Sequence, residues 1–348
     1  MGRIKASSHT RHAGIDVLRC LAFFFVVVFH SFLNIGHSYV EQEGFMVYIA
    51  DVFRFFSISC IGLYLMISGY LRCNNTNIAS CYRGLVSVLV GYLLSCAVVI
   101  PVRHFVLEEV YTFTQWIEKV FKFTAVSYGW YVEMFVGLAL LIPFINMGLQ
   151  YIGNNKKRLF ILAAALLFLT ALPGITTMHI APDYWRIAYP ITYYVLGAIV
   201  YKLQPKMNTW LGLLEALGMA SLMALYTISS DDINYKSQQP QFEFQDLWIV
   251  FIVVMLFIAL YHVDVPKTLA KVFAFMSTGC FCGYLVSSVL DSYFYKLVPQ
   301  WKNPDDYYLI FICVTIPIFI ASLFVGIGLQ KLTDLIVPRK KKTAEKSK

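Results

Sequence analysis

Residues Gly14 to Gly36 read GIDVLRCLAFFFVVVFHSFLNIG. The run is long and apolar enough to cross a bilayer as one helix, yet it carries Asp16 and Arg19 near its start and His30 well inside. In an α-helix the eleven steps from Arg19 to His30 make about three turns and rise roughly 16 Å. Asp16, Arg19, Phe23, Val27 and His30 then share one face at different depths. Ionisable groups are expensive in hydrocarbon, so a cation near one surface and an imidazole near the midplane mark this face for function.

The rest of the 348-residue chain has the same character. It is 59% hydrophobic and 14% charged, against about 25% charged in ordinary soluble domains, and its mean hydropathy is +0.65. The fold class is therefore all-α, a polytopic membrane helix bundle. Ten apolar segments are expected, near 15–34, 53–71, 84–104, 129–149, 158–174, 187–204, 209–228, 246–263, 272–291 and 307–329. Arg3, Lys5 and Arg11 precede the first segment as in a secretory signal, but no A-x-A-like site follows it, so a retained first helix is expected.

Charge sets the orientation. Lys and Arg gather in the N-terminus, in the connection holding Lys156, Lys157 and Arg158, and in the tail, where seven basic residues fall between Lys331 and Lys348. Glu41, Glu43, Glu108, Glu109, Asp231, Asp232, Asp305 and Asp306 lie in the opposite connections. By the positive-inside rule both termini are cytoplasmic, with residues 1–14 a cytoplasmic N-terminus, 15–329 the transmembrane body and 330–348 a basic cytoplasmic tail. The net charge of +8 is thus a topology signal, with membrane lipids as the expected contact and no nucleic acid. Three outer segments exceed simple connections: 34–52, 105–129 and the Gln-rich 229–245; the middle one suits an interfacial amphipathic helix. Cys280 and Cys282 point to different faces of an apolar helix without a nearby His, so no metal centre is expected, and the eight cysteines form no disulfide framework.

Arg19 presents planar, permanently charged donors to an anion such as a phosphate or carboxylate, and Asp16, one turn earlier, is placed to hold it. His30 is suited to move a proton near neutral pH. Packing explanations exist for both: Arg19 snorkelling in a pair with Asp16, and His30 hydrogen-bonding a neighbouring helix. Glu133, about one turn into the fourth segment, is placed either to orient an imidazole or bind a hydroxyl, or to face interfacial water. Ser68 has no adjacent base and, with Gly69, reads as close packing; Asp291 reads as interfacial.

The run GIDVLRCLAFFFVVVFH resembles the opening signature of acyltransferase family 3, integral-membrane proteins whose first helix carries an Arg, ten residues, then a His. IGLYLMISGYL, residues 61–71, is similar to that family's second-helix pattern ending Ser-Gly-aromatic-Leu, and WYVEMFVGLALLIPFIN, residues 130–146, to its Trp-aromatic helix ending Pro-Phe-x-Asn. YPITYYVLG at 189–197 and GYLV at 283–286 match weaker later patterns.

The resemblance implies transfer of an acyl group, commonly acetyl, from coenzyme A on the cytoplasmic side to a hydroxyl of a cell-envelope glycan, exopolysaccharide or lipid-linked sugar, in a bacterial inner membrane. No permanently bound cofactor is implied, since acetyl-CoA or another acyl-CoA is a substrate. It gives His30 the catalytic role, as base or as acyl relay, and Arg19 a part in donor binding or in holding the site. Beside them, Glu133 is a catalytic candidate, Arg83 and Asp16 are candidates for the donor site, and Trp130, Tyr131 and Tyr64 for substrate binding. Three positions depart from the family pattern: Val86 stands where a second basic residue often follows Arg83, Tyr128 where many members have a His before the Trp, and Ser287 where a His is common. Two competing readings remain: a transporter or exporter of polysaccharide or an anionic metabolite, with Arg19 and His30 lining its path, and an inactive relative with a sensing role.

Overall fold

The computed structural model describes residues 13–37, 44–172, 181–229, 244–297 and 306–338. The basic N-terminus, Tyr39, Glu41, Glu43, most of the Gln-rich 229–245 stretch, Asp305 and the tail from Arg339 lie outside the described residues. Those described are helical with no strand. The elements are α1 (Ala13–Asn34), α2 (Phe45–Ile58), α3 (Cys60–Arg72), α4 (Ile78–Phe105), α5 (Phe113–Phe121), α6 (Trp130–Ile152), α7 (Lys156–Thr170), α8 (Tyr189–Leu203), α9 (Thr209–Ser229), α10 (Leu247–Leu260) and α11 (Lys267–Leu297). A π-helical turn, Phe311–Thr315, then leads into α12 (Ile316–Ile336).

Among the described residues seven helices are long and apolar enough to cross a membrane, counting α2 and α3 as one span, Phe45–Arg72. The other three expected segments are α7, α8 and α10, helices of 15, 15 and 14 residues. At 1.5 Å per residue they reach only about 22 Å, short of a ~30 Å hydrocarbon core. Phe144, Phe160, Trp210 and Leu214 are large apolar side chains exposed on the outside of the bundle, as a lipid-facing surface requires. This is an integral membrane protein.

The second span begins at Phe45, eight residues before the hydropathy boundary near 53; Asp51 lies in the added stretch and Arg54 just inside the boundary. Both are buried. Arg54 Nε donates to Asp51 Oδ1 at 2.9 Å, His37 Nε2 lies 3.0 Å from the same oxygen, and Arg54 also lies over the Phe55 ring. A buried charge persists only when paired, and this cluster lets an apolar helix carry two ionic residues.

α1 runs through the bundle against α2, α3 and α11, which is why polar residues on its face meet other helices. Between α3 and α8 the backbones touch: a Cβ on Gly69 would overlap the Tyr194 carbonyl, and one on Gly197 the Met66 carbonyl. Without a hydrophobic drive between helices in lipid, such close approach supplies dispersion contact instead. An amphipathic helix, α5, occupies the middle outer segment, with Phe113, Ile117 and Phe121 exposed and Trp116 buried beneath Arg103.

Candidate active site

A cavity of about 1190 Å³ opens between α1, α3, α4, α6, α11 and α12. One end is polar, built from residues at or near helix ends: Arg19, Arg72, Asn75, Asn77, Arg83 and Asp334. The other lies deeper and is apolar and aromatic, with Val26, Ile61, Tyr64, Tyr131, Phe135 and Tyr284. Along α3 the eight steps from Arg72 back to Tyr64 span about 12 Å, so polar end and aromatic end are two layers of one space.

Asp16 is buried and does not line the cavity; it accepts from Ser277 Oγ at 2.7 Å and lies 3.4 Å from Arg19 NH1. It therefore positions Arg19, whose side chain is one-third exposed, toward the cavity. Arg83 lines the same end from α4, with Val86 one turn on. A second guanidinium there comes from another helix: Arg72, in the last turn of α3, lies against Gly84, where a Cβ would stand 3.3 Å from NH1, and 5.8 Å from the Phe135 ring. Asn146, from the Pro-Phe-x-Asn stretch, sets the end of α3. Its amide donates to the Arg72 and Asn75 carbonyls at 2.8 and 2.7 Å and accepts from the Tyr194 hydroxyl at 2.9 Å. Spacing along α4 alone did not reveal Arg72; its place in a last turn at the same end as Arg83 was the available signal.

His30 lies one turn beyond Val26 and is not itself among the residues lining the cavity. Its Nδ1 is 2.8 Å from the Val26 carbonyl, which can only accept, so the proton sits on Nδ1 and the Nε2 lone pair remains for chemistry. The ring stacks on Tyr128, centroids 3.7 Å apart and planes 28° apart. Tyr128 in turn donates to Asp291 Oδ2 at 2.6 Å and accepts, through its carbonyl, from the Tyr284 hydroxyl at 2.6 Å. Burial first, and the Asp291 carboxyl next, push the Tyr128 phenol well above its ordinary range, so it stays a donor. Asp291 is not interfacial as the sequence suggested: it is 1% exposed, and Oδ1 is buried without a hydrogen bond. Its depth follows from α11 packing against α1, which sequence position alone does not reveal.

Tyr64 and Tyr131 both face the cavity, ring centroids 6.1 Å apart. Ser68 lines it too, its Oγ donating to the Tyr64 carbonyl at 3.0 Å, while Gly69 makes the close helix contact. Trp130 and Glu133 are outside. Trp130 is 37% exposed and stacks on Phe244 at 5.7 Å, and Glu133 is exposed on the first turn of α6. Ser287 is buried and donates to the Tyr284 carbonyl at 2.8 Å.

Residues 12–330 match the acyltransferase domain of acyltransferase family 3. No curated protein matches the chain, and no solved structure does.

Proposed function

Because this chain belongs to acyltransferase family 3 and is a membrane acyltransferase, we propose that it is an O-acyltransferase of the bacterial inner membrane. It moves an acyl group, with acetyl the expected one, from acyl-CoA to a hydroxyl of a cell-envelope glycan or exopolysaccharide. The observation that carries this reading is the two-layered cavity, with Arg19, Arg72 and Arg83 at one end and an aromatic end one turn from His30 at the other. Guanidinium groups suit the phosphates of coenzyme A, and an apolar inner end suits a slender acyl-bearing arm. The Arg-lined end faces the cytoplasm, both termini are cytoplasmic, and 15–329 form the catalytic body between the short N-terminus 1–14 and the tail 330–348.

In this reading His30 Nε2 takes the proton of the acceptor hydroxyl, with Nδ1–H held by the Val26 carbonyl. Asp16 holds Arg19 for the donor. Tyr131 bounds the acyl end. The test is transfer of label from acetyl-CoA to envelope glycan by the purified chain in vesicles. His30→Ala is expected to abolish transfer while leaving insertion and coenzyme A binding intact. Full transfer by that variant sinks the assignment, and flux of substrate without acyl transfer replaces it with a carrier.

A further inference from the structure

We propose that Tyr284 gates the passage between the donor cavity and His30, and so decides that the acyl group goes to the acceptor hydroxyl and not to water. The inference rests on the acyltransferase reading above. The cavity stops short of the base: Val26, Tyr64, Tyr131 and Tyr284 line its inner end, and His30 and Tyr128 do not. Rings stand in series across the gap. The Tyr284 ring stacks on Tyr128, centroids 5.9 Å apart and planes 18° apart, and Tyr128 stacks on His30 at 3.7 Å. Tyr131 braces this partition, edge to face with Tyr284 at 5.7 Å. A thioester seated in the cavity reaches a hydroxyl activated by His30 only when the partition opens.

Tyr284 is the part of the partition placed to move. Val26 has a stiff, β-branched side chain and its carbonyl holds the His30 ring, so the α1 wall is fixed. Tyr128 is held at its hydroxyl by Asp291 Oδ2 and across its face by His30. Tyr284 is the lining residue whose ring and hydroxyl both meet Tyr128. Its tip is secured by one hydrogen bond, to the Tyr128 carbonyl at 2.6 Å, and it borders open cavity, which leaves the ring room to turn. The backbone beside it is pinned: a Cβ on Gly283 would stand 2.9 Å from the Ser322 carbonyl oxygen on α12, and one on Gly326 would overlap the Gly283 backbone. Opening is therefore rotation of a side chain between staggered positions, with α11 staying in place.

A shut gate keeps thioester and base apart between turnovers. His30 is part-buried although it does not line the cavity, and an imidazole is costly against lipid, so its open side serves an aqueous approach for the acceptor. Water arrives by the same approach. In transfer and in hydrolysis alike an oxygen bonds to the thioester carbon, the C–S bond breaks, and the oxygen's proton passes through His30 Nε2 to the departing sulfur. A sugar hydroxyl yields ester and free coenzyme A; water yields the free acid and coenzyme A. A base left open to the thioester would consume the donor in hydrolysis, the side reaction that closure of a site suppresses.

The assay is release of free thiol from acetyl-CoA by the purified chain in lipid nanodiscs, with and without host exopolysaccharide. Tyr284→Phe keeps the ring and removes its hydrogen bond to Tyr128, and acceptor-free release is expected to rise roughly two- to tenfold, the range for one lost hydrogen bond. Tyr284→Ala removes the ring, and acceptor-free release is expected to rise by more than about tenfold, with less ester formed per donor consumed. Adding His30→Ala is expected to return either variant to the native acceptor-free rate or below, which a merely loosened core would not do. Acetyl-CoA binding, read by calorimetry, identifies the variants that keep their fold; should Tyr284→Ala fail to bind, Tyr284→Phe decides. Unchanged acceptor-free release in a variant that binds, a rise that persists without His30, or loss of acetyl-CoA binding in Tyr284→Phe each overturns the gate while leaving acyl transfer standing. A native chain that neither binds acetyl-CoA nor transfers label overturns both.

Discussion

The contact between Tyr128 and Asp291 makes a quantitative prediction because it joins residues 163 apart in sequence and holds the ring beneath His30. Asp291 is 1% exposed; its Oδ1 is already without a hydrogen bond, and Oδ2 depends on the Tyr128 hydroxyl. Tyr128→Phe keeps the stack and deletes the donor, so a buried carboxyl loses its partner at about 1–3 kcal/mol. Asp291→Ala strands the phenol instead and costs a similar amount. Removing both partners leaves neither group unsatisfied, so the double variant is expected to lose little more than either single one. The coupling is then about 1–3 kcal/mol, read from unfolding of the purified chain in mixed micelles. Transfer provides a second readout. Tyr128→Phe retains the ring 3.7 Å from His30 and is expected within tenfold of native kcat, whereas Tyr128→Ala loses the ring and falls further. Stability effects that add within about 0.5 kcal/mol, or equal activity in Tyr128→Phe and Tyr128→Ala, refute the reasoning.

Two further perturbations test how the site is held. Asn146→Ala removes both amide donations at the end of α3 and the acceptor of Tyr194, and is expected to cost about 3 kcal/mol and to raise the acetyl-CoA KM severalfold through Arg72; an unchanged KM in the surviving fold counts against that link. Asp51→Ala leaves the Arg54 guanidinium buried without its carboxylate, a loss of about 3–5 kcal/mol. It is expected to deplete the monodisperse peak in fluorescence-detected size exclusion, and a native-like profile would show the cluster to be dispensable.

What could be read along the chain was what depends on local pattern. The first helix announced itself because three polar residues interrupt an otherwise apolar run, and Arg19 and Asp16 do pair within one turn. Hydropathy starts the second span too late because Asp51 depresses it, while one of the partners that make its burial tolerable, His37, lies fourteen residues away. Arg72 is hidden for a related reason: the family pattern puts a second cation one turn along α4, and the bundle brings one from α3. Trp130, Tyr131 and Glu133 are near neighbours in sequence, yet successive helix positions turn by about 100°, so Tyr131 reaches the cavity and the other two do not. Burial of Asp291 depends on which helix lies opposite, and no periodicity within α11 encodes that.

In the proposed reaction these placements shape how the chemistry is shared. A histidine base is usually oriented by a carboxylate, which both fixes the ring and stabilises the imidazolium it becomes. Here the Val26 carbonyl fixes the tautomer and the Tyr128 face fixes the plane, but neither carries a full negative charge. Asp291 accepts from the hydroxyl of the Tyr128 ring that stacks on His30, and so is linked to the imidazole through that ring. His30 is thus well oriented and modestly stabilised as a cation, so more of the barrier must be lowered at the developing oxyanion. That places the larger demand on hydrogen-bond donation to the oxyanion rather than on the base.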